Sequence, residues 1–136
     1  MNTPALVVLI TGTRHPLSEQ HKEIIHMELE YIDKNKYGFN RVFLIHGSCS
    51  GVDLYAEEVG KSMGWISIPF KPLWKQHGKG AAVLRNQDMI DQSHPHIALA
   101  FPAPDSRGTI DCIERIEKYR SSSLSRLKVF KEILLQ

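Results

Sequence analysis

Five runs of apolar, β-favouring residues recur along the chain, at positions 6–11, 42–45, 65–70, 97–101 and 127–130. The first, Leu-Val-Val-Leu-Ile-Thr, is apolar almost throughout, as expected of a strand covered on both faces of a parallel sheet. Between the runs, apolar positions fall at helical spacing. Ile25, Leu29 and Ile32 form one stripe, behind Ser18 as a plausible N-cap. Val52, Ala56, Val59 and Met63 form a second, ended by Gly64. The stretch 83–90 reads as a helix in which Arg85 and Met89 share one face and Asn86 and Ile90 the next. Ile110, Ile113 and Ile116 point inward on a last helix for which Thr109 is the expected N-cap, and 131–136 is a short tail. Strand and helix alternate, which predicts βαβ units with right-handed crossovers. The expected architecture is α/β: one domain spanning 1–136, with an open parallel five-stranded sheet.

The turns after the strands carry the candidate chemistry. His46-Gly47-Ser48-Cys49-Ser50-Gly51-Val52-Asp53 joins the second strand to its helix. Gly47 and Gly51 permit positive φ and close backbone approach, and Ser48 and Ser50 add hydroxyl donors. The free N–H groups and positive dipole of the following helix make such a turn an anion site, phosphate being the usual anion. Asp53, in the first turn, suits either capping or accepting from a ribose hydroxyl. The same turn is also compatible with a tight strand-to-helix link that holds no ligand. Gly12-Thr13-Arg14 follows the first strand and puts Arg14 at its carboxyl end, where open α/β sheets bind ligands. The stretch 72–82 is glycine-rich and basic and carries Trp74 and Lys79. Arg85 and Asn86 could clamp a phosphate and a sugar or base edge, or lie on a polar outer face. Gly108-Thr109 repeats the strand, small-residue turn, helix plan. A parallel sheet brings all four loops to one edge.

Composition narrows the classes. A length of 136 residues suits one domain with one core, and 42% apolar with 24% charged residues is ordinary for a globular chain. The formal net charge is +2, so no nucleic-acid-coating surface is expected and nucleic acid is an unlikely partner. The 6–10 run is too short for a signal-peptide core and lacks a preceding basic segment, no run approaches a membrane span, and Cys49 and Cys112 form no CxxC pair. These features predict a cytoplasmic chain with reduced thiols. His94-Pro95-His96 has no third ligand nearby and reads as a loop. Neither metal nor cofactor is expected. Cys49 reads as a loop filler, or as a thiol activated by the helix end with His46 or His77 as base. Trp74 fits either base stacking or sheet-edge cover.

The string Gly-Thr-Arg (12–14), His-Gly-Ser-Cys-Ser-Gly-Val-Asp (46–53), Trp-x-x-x-Gly-Lys-x-Ala (74–81), Arg-Asn-x-x-Met (85–89) and Phe-Pro…Gly-Thr (101–109) resembles the SLOG superfamily. This Rossmann-like group contains the DNA-processing protein DprA and the cytokinin-activating LOG enzymes. Within it the chain is most similar to the small stand-alone YspA-like branch. The resemblance covers nearly the whole chain in order, and together with the alternation it implies a Rossmann-like three-layer α/β/α domain with the sheet ordered 3-2-1-4-5. It implies a ligand built from phosphate and ribose, bound across the strand ends by a sensor or carrier. The 47–53 loop and Gly108-Thr109 would hold phosphate, Arg85 and Asn86 would line its sugar or phosphate side, Arg14 and Lys79 would supply positive charge, and Asp53 would accept from ribose. A homodimer is also implied.

LOG-type enzymes carry Pro-Gly-Gly-x-Gly-Thr followed closely by a Glu implicated in cleaving the N-glycosidic bond. Here the stretch is Pro104-Asp105-Ser106-Arg107-Gly108-Thr109-Ile110-Asp111, with Asp111 about where that Glu would stand and one methylene shorter. The alternative expectation is therefore a phosphoribohydrolase, an N-glycosidase acting on a nucleoside monophosphate, with Asp111 or Asp53 as carboxylate and Arg85 on the phosphate. A DNA-associated role, by analogy with DprA, is the third.

Overall fold

A computed structural model describes residues 4–136. Its elements follow the order β1 (Ala5–Gly12), α1 (Glu19–Asn35), β2 (Arg41–His46), α2 (Val52–Ser62), β3 (Ile66–Pro69), α3 (Trp74–His77), α4 (Ala81–Ser93), β4 (Ile97–Phe101), α5 (Arg107–Arg120) and β5 (Val129–Glu132). The five strands form one parallel sheet ordered β3-β2-β1-β4-β5, the expected order. β1 is central: Val8 lies opposite Leu44 on one side and Ile97 on the other.

The pleat sorts alternate β1 residues to two cores. Leu6, Val8 and Ile10 pack with Ile25, Leu29 and Ile32 of α1 and with Val52, Ala56 and Val59 of α2. Val7 and Leu9 pack on the opposite face with Met89 and Ile90 of α4 and with Cys112 and Ile116 of α5. Both faces of β1 are thus covered, which is why its sequence is a continuous apolar run rather than an alternating one. Ser18 caps α1 through a capping box, its hydroxyl accepting from the His21 N–H and the His21 ring accepting from the Ser18 N–H.

Three boundaries differ from the sequence reading. α4 begins at Ala81, two residues before the predicted start, and the preceding stretch contains the short helix α3 rather than a simple loop. Thr109 is not the N-cap of α5; the cap is Ser106, so Thr109 lies inside the first turn. The buried face of the helix also differs from the expected one. Thr109, Cys112, Ile116 and Tyr119 are buried, whereas Ile110 is exposed. β5 starts two residues later than predicted, and the expected tail continues its pairing. Ile133 N–H donates to the Ala100 carbonyl and Leu135 N–H to that of Pro102, each at 2.8 Å, and the Leu135 side chain is buried.

Among the described residues no helix is long and apolar enough to cross a membrane. His94 and His96 belong to no metal-holding group there. His96 is buried under the sheet edge, and its Nδ1 accepts from the Val7 N–H at 2.9 Å.

Candidate functional site

A cavity of about 390 Å³ opens at the carboxyl ends of β1, β2 and β4. Its walls come from four separate segments, as a parallel sheet requires: the turns after β1, β2 and β4, and the α3–α4 region. Of the residues singled out by sequence, Gly12, Thr13, Arg14, Gly47, Asp53, Trp74, Arg85, Asn86, Gly108 and Thr109 line it. Ser48, Ser50, Gly51, Lys79 and Asp111 are not among its lining residues.

The floor is built around Arg85. A buried arginine on a short polar helix is unusual, and here it is only 9% exposed. The reading of 85–86 as a polar outer face is therefore overturned: Arg85 and Asn86 face inward. Nη1 donates to the Gly47 carbonyl, and Nε donates to Asn86 Oδ1 at 2.9 Å. Nη2 lies 3.9 Å from the Cys49 sulfur. These partners are all neutral groups, and among the described residues no carboxylate comes within ion-pair reach of the guanidinium. A Cβ on Gly47 would stand 2.5 Å from Nη1, so glycine there makes room for the arginine.

The β2–α2 loop does not present its amides to the cavity. The Gly47 and Cys49 N–H groups both donate to Asp53 Oδ2, at 3.0 and 3.2 Å, and the Ser48 N–H donates to His46 Nδ1 at 3.0 Å. The Ser50 hydroxyl donates to the Arg14 carbonyl, and Gly51, at φ +82°, packs on the Thr13 carbonyl, where a Cβ would approach to 2.5 Å. The expected phosphate loop is thus a folded clasp in which the Gly47, Ser48 and Cys49 N–H groups are already used, while the buried Ser48 hydroxyl has no partner among the described residues. Asp53 is the knot of this clasp. It is 5% exposed, its Oδ1 is sheltered with no hydrogen-bond partner, and burial pushes its carboxyl up to about 6. The Cys49 and Gly47 N–H groups and the charges of His46 and Arg85 offset part of that shift.

The open donors lie across the cavity, at α5. Ser106 turns its hydroxyl back to accept from the Ala103 N–H and does not cap the helix. The Gly108 and Thr109 N–H groups, in the first turn of α5, have no acceptor among the described residues. Arg107 and Arg14 add exposed cations to the wall. Trp74, 54% exposed, stands at the rim.

Sequence reasoning missed His15, Asp105 and Ser106. His15 Nε2 and Asp105 Oδ1 meet at 3.2 Å, tying the turn after β1 to the turn after β4. Ninety residues separate the pair, and no local pattern signals the contact. Of the two bases expected for Cys49, His46 has both ring nitrogens engaged elsewhere. His46 is almost fully buried, and its Nε2 is held by Glu57 and Ser67, both at 3.0 Å, while Nδ1 serves Ser48. Cys112 is buried in the core, and burial pushes its thiol up to about 12. Lys79 is exposed in the turn before α4. Asp111 accepts from Asn86 Nδ2 at 3.1 Å and from Arg115 Nε at 2.9 Å.

No protein-family model matches the chain. The Gene 61 protein of Mycobacterium phage D29 is 29% identical over 116 residues, which are 82% of this chain and 88% of the phage protein. In three dimensions the chain is similar to the X-ray structure of DNA processing protein A (DprA) from Streptococcus pneumoniae, with a TM-score of 0.53 at 13% identity. The match covers 96% of this chain and 58% of DprA, so the chain spans little more than half of that protein's length. The fold is therefore DprA-like and Rossmann-type; at this identity the likeness concerns the fold alone.

Proposed function

We propose that the protein binds a nucleotide or nucleotide-derived ligand, carrying phosphate and ribose, in the cavity at the carboxyl edge of the sheet, and that it acts as a sensor or carrier. The observation that carries this reading is the buried Arg85, unpaired with any carboxylate among the described residues, facing the same cavity as the uncapped start of α5. A buried cation and free helix N–H groups are both satisfied by one anion. The Gly108 and Thr109 N–H groups and Arg85 take the phosphate. Arg14 and Arg107 add positive field at the mouth, with Lys79 further out. Asn86 and Asp53 lie on the sugar side, and Trp74 stacks on the base. The β2–α2 loop, with Gly47, Ser48, Ser50 and Gly51, shapes the floor and leaves donation to α5. The implied homodimer belongs to the same proposal, and light scattering of the eluting protein tests it.

One feature favours a second reading, cleavage of a nucleoside monophosphate to base and ribose phosphate. Asp53 lines the cavity with its carboxyl raised to about 6, the range a proton-transfer group needs near neutral pH.

One experiment separates the readings. Nucleoside monophosphates, NAD and ADP-ribose are incubated with the protein and chromatographed for free base, and the same panel enters a thermal-shift screen. A raised melting temperature without base release is the expected result and supports the sensor. Base release that disappears in Arg85→Ala establishes the hydrolase. Neither effect, at millimolar ligand, removes both readings.

A further inference from the structure

At the place where a hydrolytic carboxylate is expected, one oxygen of Asp111 already accepts from two side chains. Arg115, one turn along α5, donates Nε to Asp111 Oδ2 at 2.9 Å and Nη1 to Gln87 Oε1 at 2.9 Å. The same Asp111 oxygen accepts from Asn86 Nδ2 at 3.1 Å. Asn86 is 3% exposed and spends its other Nδ2 proton on the Gly108 carbonyl at 3.3 Å. Its Oδ1 then has one direction left, toward Arg85 Nε at 2.9 Å.

We infer that Asp111 is a positioning residue: through Asn86 it sets the plane of the Arg85 guanidinium, and it does not itself touch the ligand. A primary amide can present either its oxygen or its nitrogen to Arg85, and a nitrogen there would set donor against donor. Two acceptors on the Nδ2 side, the Asp111 carboxylate and the Gly108 carbonyl, remove that second orientation. The carboxylate contributes the stronger hold because it is charged. Partial burial works against the ionised form of Asp111, but the hydrogen bonds from Arg115 and Asn86, with the charges of Arg115 and Lys118, outweigh it and keep the carboxyl below its ordinary value. The acceptor is therefore ionised wherever the protein is folded near neutral pH.

Once Nε is tied to Asn86 and Nη1 to Gly47, the guanidinium cannot swing. Nη2, whose nearest partner is the Cys49 sulfur at 3.9 Å, is left as the donor for an incoming anion. The relay also joins the two anion-binding parts of the cavity, because Asn86 holds the α5 start at Gly108 and the arginine of α4 at once. This inference rests on the proposed anion site for its purpose but not for its test.

The test is NMR on the whole protein, following exchange of the Arg85 Nε proton with water, with AMP titration as a second readout. The Nε signal is assigned by its loss in Arg85→Lys. Asp111→Leu, which keeps the branched shape but removes the acceptor, is expected to speed Nε–H exchange at least about tenfold and to weaken AMP binding by a similar factor. Asp111→Asn, which still offers an oxygen to Asn86, is expected to restore most of both. Unchanged Nε–H exchange in Asp111→Leu overturns the inference. So does loss of AMP binding in both variants with the Nε signal intact, since that pattern means direct contact. If wild-type protein does not bind AMP, the ligand reading suffers while the exchange arm still decides the relay. Should Asp111→Leu fail to fold, Arg115→Met loosens Asp111 from the other side, and unaltered Nε–H exchange there counts equally against the inference.

Discussion

At Gly47 a single methyl group would collide with the Arg85 guanidinium, which is held there by its bonds to Asn86 and the Gly47 carbonyl. Gly47→Ala should therefore displace Arg85 from the floor. Expected outcomes are a loss of roughly 1–3 kcal/mol in urea denaturation, typical of overpacking, together with loss of any AMP-induced rise in melting temperature. Retained ligand response with lowered stability would show that Arg85 is not the anion's partner. A second prediction concerns pH. Asp53, raised by burial to about 6 from an ordinary 3.8, holds a proton that the unfolded chain releases. Its contribution is complete below about 4 and is lost as pH rises through 6. His96 is lowered to about 4 from 6.5 by burial and then by the charges of Arg126 and Lys128. It stays neutral where the unfolded chain takes up a proton, so its contribution is complete above 6.5 and is lost as pH falls to about 4. Each amounts to roughly 3 kcal/mol at about 1.4 kcal/mol per pH unit, with opposite sign over nearly the same window. Asp53→Asn should expose the His96 slope, leaving the protein less stable at pH 4.5 than at pH 7 by denaturation. His96→Asn should show the reverse slope. Equal stability of Asp53→Asn at both pH values would exclude this account.

At the scale of elements, α4 and α5 are two amphipathic helices whose polar buried residues face each other at their N-terminal ends. α4 brings Arg85 and Asn86, and α5 brings Thr109 and, from its partly buried flank, Asp111. The pattern of apolar positions located both helices but placed α5 wrongly in rotation. Its inward residues include Thr109 and Cys112, which a search for isoleucine stripes passes over. The true cap, Ser106, is hidden from a cap search because its hydroxyl serves Ala103 instead of the helix. β5 shows the opposite error. Its apolar positions were recognised too early in the chain, because an edge strand is half exposed and the signal is weak. The buried Leu135 closes this edge, and Leu135→Ala is expected to cost about 2 kcal/mol in chemical denaturation. A change below about 0.5 kcal/mol would mean that the last residues are not part of the core.

For the molecule as a whole, a formal net charge of +2 is a small excess for holding a polyanion. Arg14, Arg85 and Arg107 all line one cavity. Fluorescence anisotropy with a single-stranded oligonucleotide should show no binding at physiological salt. Tight binding that weakens steeply with added salt would instead move the function toward the DNA chemistry named for the structural neighbour.

Hydrophobic periodicity by itself determines a parallel sheet and the edge at which the four loops converge, because strand burial and parallel connectivity follow from local pattern and chain direction. The order of the strands and ten of the residues that line the cavity come instead from the glycine-bearing turns and the family resemblance they carry. Tertiary structure decided which donors remain open. The amides of the 47–51 loop look available in sequence, but Asp53 and His46 consume three of them, while the start of α5 keeps the Gly108 and Thr109 N–H groups free. Whether a polar group is satisfied depends on partners far apart in the chain, and the pairing of Asn86 with Asp111 or His15 with Asp105 leaves no trace in local spacing.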